Sequence, residues 1–404
     1  MTAHPRYEIA LETDGAAICA NIDALARGGT VALAFQTSDW LSTLFKTVAP
    51  AASATPLLAI ARERVSGRVA LAAPLLVRRR GRMSIAELAD LDLSDYCAPL
   101  LGDAAPRTTD EARQLAHAVI ASLDGVDMLR LRKMPATVEG LPNPFACLDA
   151  TARSKFNGNR LVVETSVEAF LAARGKKYRK EAERSRRRLE EMGHVVIARA
   201  RSDDEIVNAY AAIERWQERR HRDAGHDYWL DRREVSAFYR DLVLKEREPA
   251  LASIYTMQVG GTLVAALLGV THRGTFTLLR IADAGEEWSH CSPGRMIVLG
   301  AMGELIREGA HVFDMGIGDY PFKRWIGCEP HPLYDLDFAR TWRARPHVAL
   351  ARAERAIRAN PRALALARRL AGRGPSQRGK PGNGSARHGN AGPGDRAPQS
   401  EAEE

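Results

Sequence analysis

SHCSPGRMIVLGAMGELIREGAHVFDMG, residues 289–316, reads as one helix followed by one strand, with both helix ends marked. Ser292 suits the N-cap and Pro293 the first helical position, where a missing N–H costs nothing, while Gly309 suits the stop. Met296, Ile297, Leu299, Met302, Leu305 and Ile306 predict a buried helix. Gly294 leaves room at the helix start for a ligand to approach the backbone, and Arg295 adds a cation beside the positive end of the helix dipole. That combination suits a pyrophosphate. It equally suits a well-capped structural helix that binds nothing.

Downstream, FDMGIGDYPFKRWIG (313–327) delivers Asp314 at a strand end and then a loop made sharp by Gly316 and Gly318. Asp319 and Lys323 are expected to project from that loop beside the helix start, or else to serve as a turn cap and a surface cation. Upstream, 252–283 reads as three antiparallel strands turning at Gly260-Gly261 and Arg273-Gly274. Helices are expected at 176–192, 203–221 and 233–247, with a strand at 194–200 between the first two.

The first half repeats the grammar. TVALAF (30–35) reads as a strand, 38–49 as a helix, 56–81 as a hairpin, 108–123 as a helix and 126–134 as a strand. VSGRVALAAPLLVRRRG (65–81) and VGGTLVAALLGVTHRG (259–274) share turn chemistry, an Ala/Val/Leu strand and a basic-Gly exit. DYCAPL (95–100) faces SHCSPG (289–294) in the same way. Two related α/β domains with mixed sheets follow from this. The expected divisions are 1–150, 151–345, a basic helical extension 346–371 broken at Pro361, and a Gly/Pro/Ser/Arg-rich tail 372–404 expected to be disordered.

Composition bounds the function. The longest strongly apolar run, LVAALLGV (263–270), is far short of the roughly 20 residues that span a bilayer. MTAHPRYEIALETDGAA lacks the basic start and apolar block of a signal peptide, and five scattered cysteines form no CxxC pair. The expectation is a cytoplasmic protein without a metal. Net charge is +8, but Arg174–Arg188 holds nine Lys/Arg against two Glu, and Arg340–Arg373 ten Arg against one Glu. Those segments carry +7 and +9, so the remainder nets −8: an acidic body with two basic segments. The first has one aromatic, Tyr178, which argues against nucleic acid. The second invites contact with anionic lipid at the inner membrane surface.

The order of antiparallel strands, capped helix with Gly and Arg, and strand ending on an acid resembles the GNAT acyltransferase fold. More narrowly, SPGRMIVLGAMGELIREGAHVFDMGIGDYPFKRW, KKYRKEAERSRRRLEEMG (176–193), PLLVRRRG and SDYCAPLLG (94–102) resemble the CelD/BcsL-type proteins of cellulose biosynthesis, which share a fold with Fem-type aminoacyl transferases. The resemblance runs over about residues 30–345. It implies tandem GNAT-like domains, the first degenerate, with acyl-CoA (acetyl-CoA) as co-substrate held by Ser292, Pro293, Gly294 and Arg295. The glycine-rich pyrophosphate loop of other GNAT proteins is reduced here to those four residues.

In that frame Asp319 is the candidate base or orienting acid and Lys323 the charge stabiliser, with Asp314 at the strand end. Tyr320, or else solvent, would protonate the leaving thiolate, since Phe322 stands where the family has Tyr before the lysine. Gly316, Gly318, His226, Asp227 and Trp229 are candidates for the acceptor pocket. The implied reaction is acyl transfer to a saccharide or small-molecule amine or hydroxyl, in polysaccharide or cell-envelope biosynthesis. Two alternatives stand beside it: a Fem-like transferase using aminoacyl-tRNA, and a non-catalytic scaffold in a polysaccharide-synthesis assembly.

Overall fold

The computed structural model describes residues 6–359 apart from 164, 226, 227, 229, 231 and 246–248. They form two compact units. The first holds the described residues through Phe156 and again from Pro332; the second holds Asn157–His331.

The first unit runs β1 (Tyr7–Glu12), α1 (Gly15–Arg27), α2 (Ser38–Thr47), β2 (Ala54–Glu63), β3 (Val69–Arg80) and β4 (Met83–Leu88). Then come the two-residue β5 (Leu100–Leu101), α3 (Thr109–Ser122), β6 (Met128–Pro135), a small ladder of β7 (Thr137–Val138) with β8 (Leu141–Pro142), and the start of β9 (Thr151–Val162). The second unit carries α4 (Val167–Ala172), α5 (Lys176–Met192), β10 (Val195–Arg199), α6 (Asp203–Asp223), α7 (Arg233–Val243) and β11 (Ala252–Val259). It continues with β12 (Thr262–His272), β13 (Thr275–Asp283), α8 (Pro293–Arg307), β14 (Val312–Asp314) and α9 (Pro321–Ile326). β15 (Glu329–Ala339) and α10 (Arg345–Ala359) close the described chain.

The two units repeat one order. β1-α1-α2-β2-β3-β4-α3-β6 in the first matches β10-α6-α7-β11-β12-β13-α8-β14 in the second. Each has an antiparallel meander followed by one parallel pair, β4 with β6 and β13 with β14. The helix between the paired strands is the crossover that a parallel connection requires. The tandem mixed α/β architecture is therefore present in the backbone.

Local chemistry explains the elements around the site. α6 opens on a complete capping box, Ser202 with Glu205, satisfying two N-terminal amides. α5 buries Tyr178, Ala182, Ser185 and Leu189 along one stripe and turns most of its bases outward. α8 buries Met296, Ile297, Val298, Leu299, Ala301, Met302 and Leu305 against the second unit's sheet. A Cβ at Gly300 would lie 2.3 Å from Ile197 Cδ1, so only glycine lets α8 approach β10 this closely.

Two expectations change. TVALAF makes one bridge, Val31 to Leu101, and then a 3-10 turn over Ala34–Gln36. All of its residues but the half-buried Val31 are buried, and an apolar run reports burial without fixing strand geometry. The first strand is instead YEIALE, pairing from Tyr7↔Glu63 to Glu12↔Leu58. Residues 332–345, expected with the C-terminal half, belong to the first unit, because β15 pairs with β6 from Leu333↔Pro135 to Ala339↔Met128. Of the basic extension 346–371, α10 is described to Ala359; residues 360–371 and the tail 372–404 lie outside the described residues.

Candidate functional site

β13 and β14 pair over three residues only, Thr275–Thr277 against Val312–Asp314. β13 then runs on to Asp283, while the chain after β14 turns away through Met315–Gly318. A cavity of about 540 Å³ opens there, at the N-terminus of α8.

One wall is the helix start. Ser292, Gly294 and Arg295 line the cavity, and Pro293 occupies the first helical position, buried. Ser292 stands at the N-cap as expected but does not cap with its side chain. Its backbone is left-handed (φ 51°, ψ 56°), a costly state for a residue with a Cβ and one concentrated at functional sites. The Arg295 guanidinium sits 3.9 Å from the centroid of Trp325 and 6.0 Å from that of Tyr178, with Glu181 at 3.4 Å. Ring faces and a carboxylate fix this cation beside the helix start. Lys177 of α5 adds a second cation to the lining.

The opposite wall is built by the glycine loop. Asp314 is fully buried: Oδ2 accepts from Arg160 Nε at 2.9 Å, and Oδ1 accepts the Gly316 N–H at 2.8 Å. Asn159 Nδ2 donates to the carbonyls of Gly316 and Gly318, both at 2.8 Å. Lys323 is 1% exposed, and its Nζ donates to Ile317 O (2.7 Å) and Gly316 O (3.2 Å). Gly316 and Gly318 have φ of 71° and 102°, and a Cβ at Gly318 would lie 2.7 Å from the Tyr320 ring. The loop is thus clamped from three sides, and it presents Tyr320, stacked on Phe322 at 6.0 Å, to the cavity.

Lys323 is therefore turned inward and holds the loop, where the sequence suggested a projecting cation. Asp319 is exposed, pairs with Arg324 at 3.2 Å, and is not among the lining residues. His226, Asp227 and Trp229 lie outside the described residues.

Besides Glu181, a second carboxylate lines the cavity, and the sequence reading missed it. Asp283, at the end of β13, is 4% exposed; its Oδ1 accepts the Gly285 N–H at 3.1 Å, and Arg220 lies 3.6 Å from Oδ2. Burial pushes its pKa above the ordinary aspartate value, and Arg220 and the Gly285 N–H pull it only part-way back. Three residues earlier, Arg280 is 1% exposed. Its Nε and Nη2 donate to Gln217 Oε1 (2.9 and 2.7 Å), Nη1 donates to Tyr210 OH (2.9 Å), and Nη2 also donates to Tyr228 OH. Gln217 Nε2 in turn donates to Ile281 O at 3.1 Å, tying α6 to the strand that ends on Asp283. The available signal was TFTLLRIAD (275–283), where a charged residue interrupts an apolar strand and an acid ends it.

Comparison with known proteins bears on the fold. Residues 176–324 match the family model of the acetyltransferase (GNAT) domain. The second unit carries an acyltransferase domain. The structure of FemX aligns at TM-score 0.57 and 11% identity, covering 85% of this chain and 99% of that one. A conserved protein of unknown function from Bacteroides thetaiotaomicron aligns at 0.50 and 11%, covering 82% and 100%. A tandem GNAT protein from the clavulanic acid biosynthesis pathway aligns at 0.40 and 13%, covering 82% and 98%. No curated protein sequence matches significantly. Among the described residues no cluster of His, Cys, Asp and Glu is placed to hold a metal, and no helix is long and apolar enough to cross a membrane.

Proposed function

We propose that the second unit transfers an acyl group from acyl-CoA to an amine or hydroxyl acceptor. The observation that carries this is one cavity joining the start of α8, with Gly294 and Arg295, to Asp283 and Tyr320. In this reading the pyrophosphate rests at the helix start beside Arg295 and Lys177. Asp283 takes the proton from the acceptor as it attacks the thioester, a role suited to a buried carboxylate with a raised pKa. Tyr320 donates to the departing thiolate. Attack is direct, in a ternary complex. Asp283 thus takes the base role first given to Asp319, while Asp314 and Lys323 act by holding the loop that positions Tyr320. The resemblance to CelD/BcsL-type proteins supports, as the acceptor, a saccharide of polysaccharide or envelope synthesis over a small-molecule amine.

A Fem-like transfer from aminoacyl-tRNA is the second reading, favoured by the FemX alignment, which extends across 85% of the chain. Calorimetry with coenzyme A and acetyl-CoA separates the two. Micromolar binding that disappears in Gly294→Trp supports the first reading. No binding by a folded sample, together with tRNA binding that falls steeply with salt, would move the chain to the second.

A further inference from the structure

Helix α10 has two apolar sides. Ala344, in the turn before it, and Val348 are buried against Met83, Ile85 and Met128 of the first unit, and Arg355 donates to Asp337 on that same side. At about 100° per residue, the opposite side carries Pro346, Ala349, Leu350, Ala353 and Ile357, with Trp342 in the preceding 3-10 turn. All six are exposed; Trp342 is 74% exposed, Leu350 61% and Ile357 38%. Arginines border this stripe on both flanks: Arg345 and Arg352 on one, Arg343 and Arg358 on the other, all exposed. Glu354 is the one acid of the segment 340–359, and it pairs with Arg358 at 3.0 Å. By sequence alone, residues 360–373 add four arginines and no acid.

We infer that this face of α10 lies in the interfacial layer of an anionic lipid bilayer. The apolar stripe enters the acyl boundary, Trp342 sits at headgroup level, and the flanking arginines reach anionic headgroups through their long aliphatic stems. Three large apolar side chains on one stripe are poorly tolerated in water. Two copies of this face placed against each other would set arginine flank against arginine flank, whereas an anionic bilayer supplies both the apolar layer and the opposite charge. The inference rests on the first unit alone and is independent of the proposed acyl transfer.

The test is co-sedimentation of the full chain with phosphatidylcholine vesicles made with and without phosphatidylglycerol. The expected result is binding to the anionic vesicles alone, weakening as salt is raised. Leu350→Glu should lower vesicle partitioning about tenfold or more, since Leu burial is worth about 1.5–3 kcal/mol. Brominated lipid should quench a fluorescence component that Trp342→Phe lacks. Both positions are exposed, so circular dichroism melts should match the parent. The inference is overturned if anionic vesicles fail to bind the protein, or if Leu350→Glu and Trp342→Phe bind them undiminished. A dimer seen by light scattering and dissolved by Leu350→Glu would also overturn it, assigning the face to a second copy.

Discussion

The two units share an order of elements and a parallel strand pair, yet treat the residues after the meander in opposite ways. In the first unit Leu93, Ser94, Tyr96, Cys97 and Ala98 turn into the interior. Lys133, 5% exposed, fastens them: its Nζ reaches Asp90 Oδ2 at 2.8 Å and donates to Ser94 O at 2.6 Å, while its carbonyl accepts the Cys97 N–H. Burial, the largest single influence, would lower the Lys133 pKa, but the charge of Asp90, its hydrogen bond, and the neighbouring Cys97 and Asp95 together raise it above the ordinary lysine value. In the second unit the corresponding stretch, Ala284–Ser292, leads to the α8 N-terminus, and a cavity stands there with Asp283 in its wall. One architecture thus holds a packed interior in one unit and a cavity in the other, depending on whether side chains fill the place where the parallel strands part.

Exchanging the roles of Asp283 and Asp90 gives the largest expected effects. Asp283→Asn should lower kcat by about 10²–10⁴ with the melt little changed. Asp90→Asn should instead leave a buried ammonium with half its partners and cost about 3–5 kcal/mol of stability, read by urea unfolding, with activity per folded molecule retained. Loss of activity in folded Asp90→Asn would mean that the first unit takes part in the chemistry. Binding stoichiometry sharpens the same contrast: one acyl-CoA per chain is expected, and two would show that the first unit also holds a site.

Lys323→Met should act more gently. It removes the donor to Ile317 and Gly316, costs about 1–3 kcal/mol, and loosens the loop that presents Tyr320. A lower kcat at nearly unchanged acetyl-CoA affinity is the expected signature. Gly318→Ala should reproduce it through the Tyr320 ring.

The smallest effect is in pH dependence, where two buried aspartates carry opposite signs. Asp283 has its pKa raised, so its contribution to stability is fully present below the ordinary aspartate value and lost as pH rises through the raised one. Asp337 is also buried, but Arg132 and Arg355 overcome the burial and hold its pKa below the ordinary value. Its contribution is present above the ordinary value and lost as pH falls through the lowered one. Unfolding curves between roughly pH 3 and 6 should show Asp283→Asn steepening the net loss on acidification, because the opposing term is gone.

The sequence by itself determined what is local. The helices read at 203–221 and 176–192, Pro293 with Gly309, and the Gly260-Gly261 and Arg273-Gly274 turns place α6, α5, α8 and the meander within a residue or two of their observed bounds. Turn chemistry, capping and 3.6-residue periodicity act over one or two turns of chain and can be read there. The tandem order was legible for the same reason. Gly294 and Arg295 were legible as a helix start, and both line the cavity.

Only the tertiary structure decided which charges face the cavity. Asp319 and Asp283 are equally acidic in print, yet one pairs with Arg324 in solvent and the other is buried with a raised pKa. Lys323 looks like a surface base until Gly316 and Ile317 turn their carbonyls toward it. The return of β15 to pair with β6 was likewise invisible, since a strand's partner lies some 200 residues away in sequence. Burial, desolvation and strand pairing depend on groups brought together by the whole fold, and a linear pattern does not contain those distances.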